Sequence, residues 1–122
     1  MKVLALVVAL LSAVFPALSS RSQTYEDSAN AIAPGCRAIA NNIQKPTLEE
    51  SLQAPKCVAM VSTLRNVGKM FIASYRYCVP QEAINAQAVK VVVAYLDRIP
   101  TRTHEPFLWL AIEALREAWP CR

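Results

Sequence analysis

The stretch Cys78-Val79-Pro80-Gln81-Glu82-Ala83-Ile84-Asn85-Ala86-Gln87-Ala88-Val89-Lys90-Val91-Val92-Val93-Ala94-Tyr95-Leu96, followed through Pro100 and His104 to Ala118-Trp119-Pro120-Cys121, places two helical segments between two cysteines. Asn85 is a suitable N-cap, and Pro100 ends the segment because proline has no amide to donate and clashes with the preceding turn. The first helix is predicted over 86–98. Thr103 offers a second cap, Pro106 suits a first turn, and Pro120 stops a second helix predicted over 104–119. Val89, Val92, Val93 and Leu96 recur at helical spacing, as do Leu108, Ala111, Ile112 and Leu115, so each helix has an apolar stripe to bury. If the two form an antiparallel hairpin, a cysteine before the first and one after the second come side by side, which invites a disulfide.

Upstream, Glu26 to Asn42 reads as a helix with Ala29, Ile32, Ala33, Cys36, Ile39, Ala40 and Ile43 on its apolar side, and Pro34-Gly35 predicts a kink or break in it. Gln44 to Gln53, with Lys45-Pro46 and Glu49-Glu50, reads as an exposed connection. Pro55 suits a first-turn position of a long helix reaching to about Tyr75, with Cys57, Val61, Leu64, Gly68 and Phe71 on one face. No stretch alternates with the period of a strand. The fold class is all-α, a compact bundle of about four main helices with two disulfides.

The chain has 122 residues and opens with Met1-Lys2, an apolar run from Val3 to Leu11 and a small-residue region to Ser20. That is the pattern of a secretory signal peptide, with Ala17-Leu18-Ser19 as cleavage site. The run is too short for a comfortable membrane span. The expected division is 1–19 as signal and 20–122 as one helical domain, with no membrane association after cleavage. Loss of Lys2 lowers the formal charge from +4 to +3. This mild basicity suits an acidic partner, and the absence of a Lys/Arg cluster argues against nucleic acid.

Four cysteines in a short exported chain read as two disulfides in an oxidising compartment. No Cys-x-x-Cys pair favours a metal. Cys57 and Cys78 sit at opposite ends of one predicted helix, roughly 30 Å apart at about 1.5 Å per residue, and so cannot pair. Cys57 with Cys121 fails likewise, because two further antiparallel helices return Cys121 to the Cys78 end. Cys36 with Cys57 and Cys78 with Cys121 remain. The predicted role of all four is structural.

Catalytic chemistry finds little to work with. With every thiol paired, a nucleophile would have to be a hydroxyl, and the only histidine is His104, read as a helix-start or loop contact. There is no Gly-x-Ser-x-Gly elbow or His-Glu-x-x-His helix, and two glycines in the whole chain leave none for a phosphate-cradling loop. Glu113 and Glu117, one turn apart, read as solvated surface charges. Trp109 and Trp119 suit either a binding surface or the core, Trp119 the core. No enzyme activity, cofactor or metal is expected.

The order Cys78-x-Pro80, Gln87, a valine-rich helix closing on Tyr95-Leu96, Pro100, His104, then Glu113-Ala114-Leu115 and Trp119-Pro120-Cys121 resembles the Rap/Tai family of immunity proteins. Ser28-Ala29-Asn30, Pro34-Gly35-Cys36 and Cys57 extend the likeness upstream. Ala59 and Asn85 stand where relatives often carry glycine and threonine. The resemblance implies an exported, disulfide-bonded, all-helical protein, characterised relatives of which bind and block peptidoglycan amidase toxins delivered by type VI secretion. The matching residues are scaffold, so no partner contact transfers by position. A homodimer is a further assembly open to the chain.

An inhibitor of this kind needs a rigid platform and an exposed segment that enters a cleft. Two connections qualify: Gln44 to Gln53, and Val79 to Ile84, where Cys78 anchors the chain, Pro80 stiffens it, and Gln81 and Glu82 offer polar groups. The second is the candidate partner contact. The alternative reading is a small disulfide-bonded helical carrier or envelope-stress protein that holds an apolar ligand between its helices.

Overall fold

A computed structural model of the protein describes residues 25–122, and the predicted signal peptide lies outside the described residues. Four α-helices carry the fold: α1 Ala29–Ala40, α2 Leu48–Val67, α3 Asn85–Arg98 and α4 Phe107–Ala118. No strand occurs among the described residues, and none of their helices is long and apolar enough to cross a membrane. The all-α, four-helix architecture expected from the periodicity is the one observed.

Helix α1 starts at Ser28, whose hydroxyl donates to the Tyr25 carbonyl at 2.6 Å and accepts from the Ala31 N–H at 3.3 Å. The helix runs through Pro34 without the break that was one form of the expected interruption. Pro34 removes a single ladder bond, to the carbonyl of Asn30 on the exposed side, and the packing of Gly35 and Cys36 against α2 outweighs that loss. At the far end Asn42 adopts φ 50°, and Asn42 and Ile43 donate back to Ile39 and Ala38 at 3.1 and 2.9 Å. This left-handed stop satisfies carbonyls that the last turn leaves open.

Helix α2 begins at Leu48, seven residues before the predicted start. Thr47 and Glu50 form a capping box, the Glu50 N–H donating to the Thr47 hydroxyl at 3.2 Å and the Thr47 N–H to the Glu50 carboxylate at 2.7 Å. Two orphan amides are thereby satisfied reciprocally, and the segment read as a loop is helical from Leu48 onward. Pro55 lies inside the helix. At its other end α2 stops at Val67 instead of reaching Tyr75. Gly68 opens a single 3₁₀ turn, Gly68–Met70, and its carbonyl accepts from both Phe71 and Tyr77 as the chain doubles back. A Cβ on Gly68 would overlap the Tyr77 ring.

Helix α3 includes Asn85 in its first turn and has Ile84 as an N-cap without a side-chain bond, one residue earlier than expected. Helix α4 starts at Phe107, not near 104, because Pro100–Arg102 forms its own 3₁₀ turn and the Thr103 hydroxyl donates back to Pro100 at 3.1 Å. Besides the Ser28 cap of α1, the starts of α1 and α4 brace each other, and α4 has no side-chain cap of its own. Ala29 and Asn30 donate to Glu105 and Thr103 at 3.0 and 2.8 Å, and Phe107 donates to Asp27 at 2.8 Å.

Ile32, Cys36, Cys57, Val61, Val89, Val92, Leu96, Phe107, Leu110 and Leu115 fill one core. The α3 stripe is buried as read. On α4 the buried face is Phe107, Leu110, Ala111, Ile112, Ala114 and Leu115, so three of the four stripe residues are buried as read, while Leu108 is turned outward. Cys36 is bonded to Cys57 and Cys78 to Cys121, across 21 and 43 residues, and no cysteine is free among the described residues. In the chain-entropy account each such closure stabilises the fold by about 3–4 kcal/mol.

The α1–α2 seam is close: a Cβ on Gly35 would overlap the Ala54 nitrogen and the Gln53 carbonyl carbon. Gly35→Ala should therefore cost about 2–3 kcal/mol and lower Tm by roughly 10–20 °C. An unchanged melting curve would show that the two helices separate freely. Tyr77 supplies a second test. Its ring is fully buried, its hydroxyl donates to the Leu64 carbonyl at 2.7 Å, and burial pushes its pKa up to about 12. The folded state holds this proton more tightly than the unfolded chain, whose tyrosines titrate near pH 10, so the contribution is complete below about pH 10 and fades as pH rises towards 12. Tyr77→Phe should flatten that alkaline decline and remove a phenolate step near pH 12 from the ultraviolet titration. Retention of both would place the late proton elsewhere.

Candidate partner-binding surface

Residues 79–84 leave the bundle between two fixed points. Cys78 is tied to Cys121 and its N–H donates to the Trp119 carbonyl at 2.8 Å, so the segment starts against the end of α4. Val79 and Ala83 are buried, and the Ala83 N–H donates to Pro80 at 3.1 Å, which closes a tight turn. Between those anchors Pro80, Gln81 and Glu82 are exposed, and Ile84 follows them outward.

Arg65 of α2 completes the support. Its guanidinium donates to the Ala83 carbonyl at 2.5 Å, to the Gln81 carbonyl at 3.1 Å and to the Asn66 side chain at 3.2 Å. A fork with several donors pins two backbone carbonyls of one turn, which a lysine would not do as well. The Gln81 and Glu82 side chains make no hydrogen bond to other described residues, so their polar ends are available to solvent or a partner. Nothing in the spacing of the sequence pointed to Arg65, because its partners in the turn are main-chain atoms 16 and 18 residues away.

The other candidate connection is shorter than expected, since 48–53 belong to α2. Only 41–47 joins α1 to α2, and part of it is used by the helix stop and the capping box. It is the less defined of the two.

A second surface feature is an apolar groove of about 880 Å³ between α2 and α4. Leu64 and Ile112 form its floor, with Met60 and Phe71 on one wall and Leu108 and Trp109 on the other. Trp109 is 51% exposed and rests against Tyr75, ring centroids 5.6 Å apart. The groove follows from the packing: α2 lies closely on α1 at Gly35, α4 packs chiefly on α3, and α2 and α4 touch only sparingly. Trp119 by contrast packs partly buried against the core.

His104 lies exposed at the groove's end and forms no hydrogen bond with the other described residues. The amides expected to use it as a cap are served by main-chain carbonyls instead. Glu113 is not a free surface charge: it accepts from the Tyr95 hydroxyl at 2.7 Å and from Arg102 at 2.8 and 3.1 Å, while Arg102 also grips Glu105 at 2.7 and 2.8 Å. The Arg102 guanidinium holds both carboxyls below their usual range, and burial together with the Glu113 bond raises the Tyr95 hydroxyl. Glu117 pairs with Arg98 at 2.6 Å. These carboxylates lock α3 to α4, and none is left beside His104 in a base-and-nucleophile arrangement. No group of three or more His, Cys, Asp or Glu among the described residues is placed to hold a metal ion.

Neither the curated proteins nor the solved structures contain a match to the chain. The helices, the two disulfides and the anchored 79–84 turn nevertheless lie together within one stretch, residues 28–121, over which the chain matches the family model of Rap1a immunity proteins. By that match, which spans most of its length, the chain belongs to the Rap1a immunity proteins.

Proposed function

We propose that the protein is a periplasmic inhibitor that binds a peptidoglycan amidase toxin delivered by type VI secretion and occludes its cleft with residues 79–84. The observation that carries this reading is the doubly anchored turn. The disulfide, two buried side chains and the Arg65 fork hold it, and Gln81 and Glu82 stand free at its tip. A loop already held in one conformation loses little entropy on binding, so its polar tips can contribute to affinity. No catalytic group is required for this role. Removal of residues 1–19 as a signal peptide and passage to an oxidising compartment agree with the two structural disulfides.

A homodimer is part of the reading. Leu48 and Leu52 stand one turn apart on α2 and are among the most exposed large apolar side chains, and a contact between two copies would cover both. Sedimentation should then give a dimer that Leu48→Ser with Leu52→Ser converts to a monomer. A monomeric parent chain would remove the dimer from the proposal and leave the loop untouched.

The exported protein should form a stable complex with a co-encoded cell-wall amidase, inhibit it and protect producing cells. Gln81→Ala with Glu82→Ala should raise Kd by about tenfold or more with Tm unchanged. Arg65→Leu should weaken binding through faster exchange of the 79–84 amides. Absence of both binding and inhibition would end the inhibitor reading, whereas full binding by the double variant would displace only the loop.

A further inference from the structure

We propose that the Cys78–Cys121 bond is a thiol–disulfide exchange site that takes a dithiol reductant, and that its opening frees the 79–84 turn from its covalent anchor while Cys36–Cys57 stays closed. This goes beyond the inhibitor role and does not depend on it.

The two bonds differ in access. Cys36 and Cys57 are fully buried and lie beside the Gly35 contact, where the two helix backbones leave no room for even a methyl group. Cys78 and Cys121 are only half-buried, and Cys121 forms part of the wall of a surface notch of about 400 Å³. Exchange begins with a thiolate reaching one sulfur of the bond, so a sulfur without an approach path does not react.

The notch also carries the charge that the reaction calls for. Its other walls are Ala73, Arg76, Arg116 and Pro120, which bring two guanidinium groups and no carboxylate. Arg116 makes no hydrogen bond or ion pair among the described residues, and its neighbours Glu113 and Glu117 on α4 are already held by Arg102 and Arg98. Arg76 uses its Nε on the Phe71 carbonyl at 3.1 Å, which leaves its terminal nitrogens without a partner. One negative charge enters with the attacking thiolate, spreads over three sulfurs and departs on the leaving one. Cations beside that path favour both the approach and the transition state.

The exchange balances in two steps. The dithiol's first sulfur, as thiolate, attacks Cys121 Sγ, a mixed disulfide forms, and the bond to Cys78 breaks. Cys78 leaves as a thiolate and takes up a proton. The dithiol's second thiolate then attacks its own first sulfur, which closes the reductant as a disulfide and expels Cys121 as a thiolate that is protonated in turn. Two electrons pass from the dithiol to the protein, and the two protons the dithiol gives up match the two the cysteines gain. The turn afterwards keeps its buried Val79 and Ala83 and the Arg65 fork, without the covalent tie at its start.

The test is partial reduction of the exported protein with dithiothreitol, quenched by alkylation and mapped by mass. Cys78 and Cys121 should be labelled about tenfold or more sooner than Cys36 and Cys57. Arg116→Gln should slow exchange with glutathione, a thiol of net negative charge, by about threefold or more, and leave exchange with the cationic thiol cysteamine as fast or faster, with Tm unchanged. A merely structural role for Arg116 would alter both alike. In the opened protein, and in Cys78→Ser with Cys121→Ser, the 79–84 amides should exchange with solvent about tenfold faster while those of Val61 and Leu64 keep their protection. The proposal is overturned by both bonds opening together, by Cys36–Cys57 opening first, by an equal effect or none of Arg116→Gln on the two thiols, by unchanged amide exchange over 79–84, or by unfolding of the double variant. None of these readouts involves the amidase, so the exchange site and the inhibitor role fail separately.

Discussion

At Gly35 the backbones of α1 and α2 come into contact with no side chain between them, and the placement of every other helix follows from that seam. The contact brings Cys36 to Cys57, fixes the two helices as a unit and lets Val61 and Leu64 face α3. Helix α4 then has one place left. Its start is stitched by main-chain bonds to the start of α1, and its end is tied to Cys78. Helix α4 packs chiefly on α3 and is stitched at its start to α1, and the groove is the space left between α2 and α4.

The fold class could be read from the apolar periodicities. The valines of α3 occupy a single face, and burial of that face demands partners of the same kind. Helix boundaries were harder where two local signals competed. Pro55 is a good first-turn residue, but Thr47-x-x-Glu50 is a stronger start because it satisfies two amides at once, and a proline inside a helix loses only one bond. The same arithmetic explains the continuity of α1 through Pro34. At α4 the local caps were misleading because the Phe107 amide found the Asp27 carbonyl 80 residues upstream while Glu105 and Thr103 accept from the first amides of α1, pairings that no window of neighbouring residues contains.

The site was legible in part. Proline next to a cysteine marked residues 79–84 as a constrained turn, whereas Arg65, which holds that turn, leaves no pattern because its partners are main-chain carbonyls. Trp109 and Leu108 follow the same limit. An apolar residue on a helix announces burial, and only the positions of other helices decide which of two neighbouring faces is left uncovered. Carboxylates behaved in the opposite way: Glu113 looked solvated by spacing and is bound by Tyr95 and Arg102 across the α3–α4 interface.

The two disulfides also differ in what must exist before each can close. Cys36 and Cys57 are separated by 21 residues and join helices that are neighbours in sequence, whereas the 43 residues between Cys78 and Cys121 contain all of α3 and α4. A chain that folds from its N-terminus can thus lock the α1–α2 unit early, while the 79–84 turn stays untethered at its cysteine until the last helix has arrived. The chain thereby acquires a direction of maturation, in which a platform precedes the projection it carries and a molecule with only the first bond closed holds its turn without the covalent anchor.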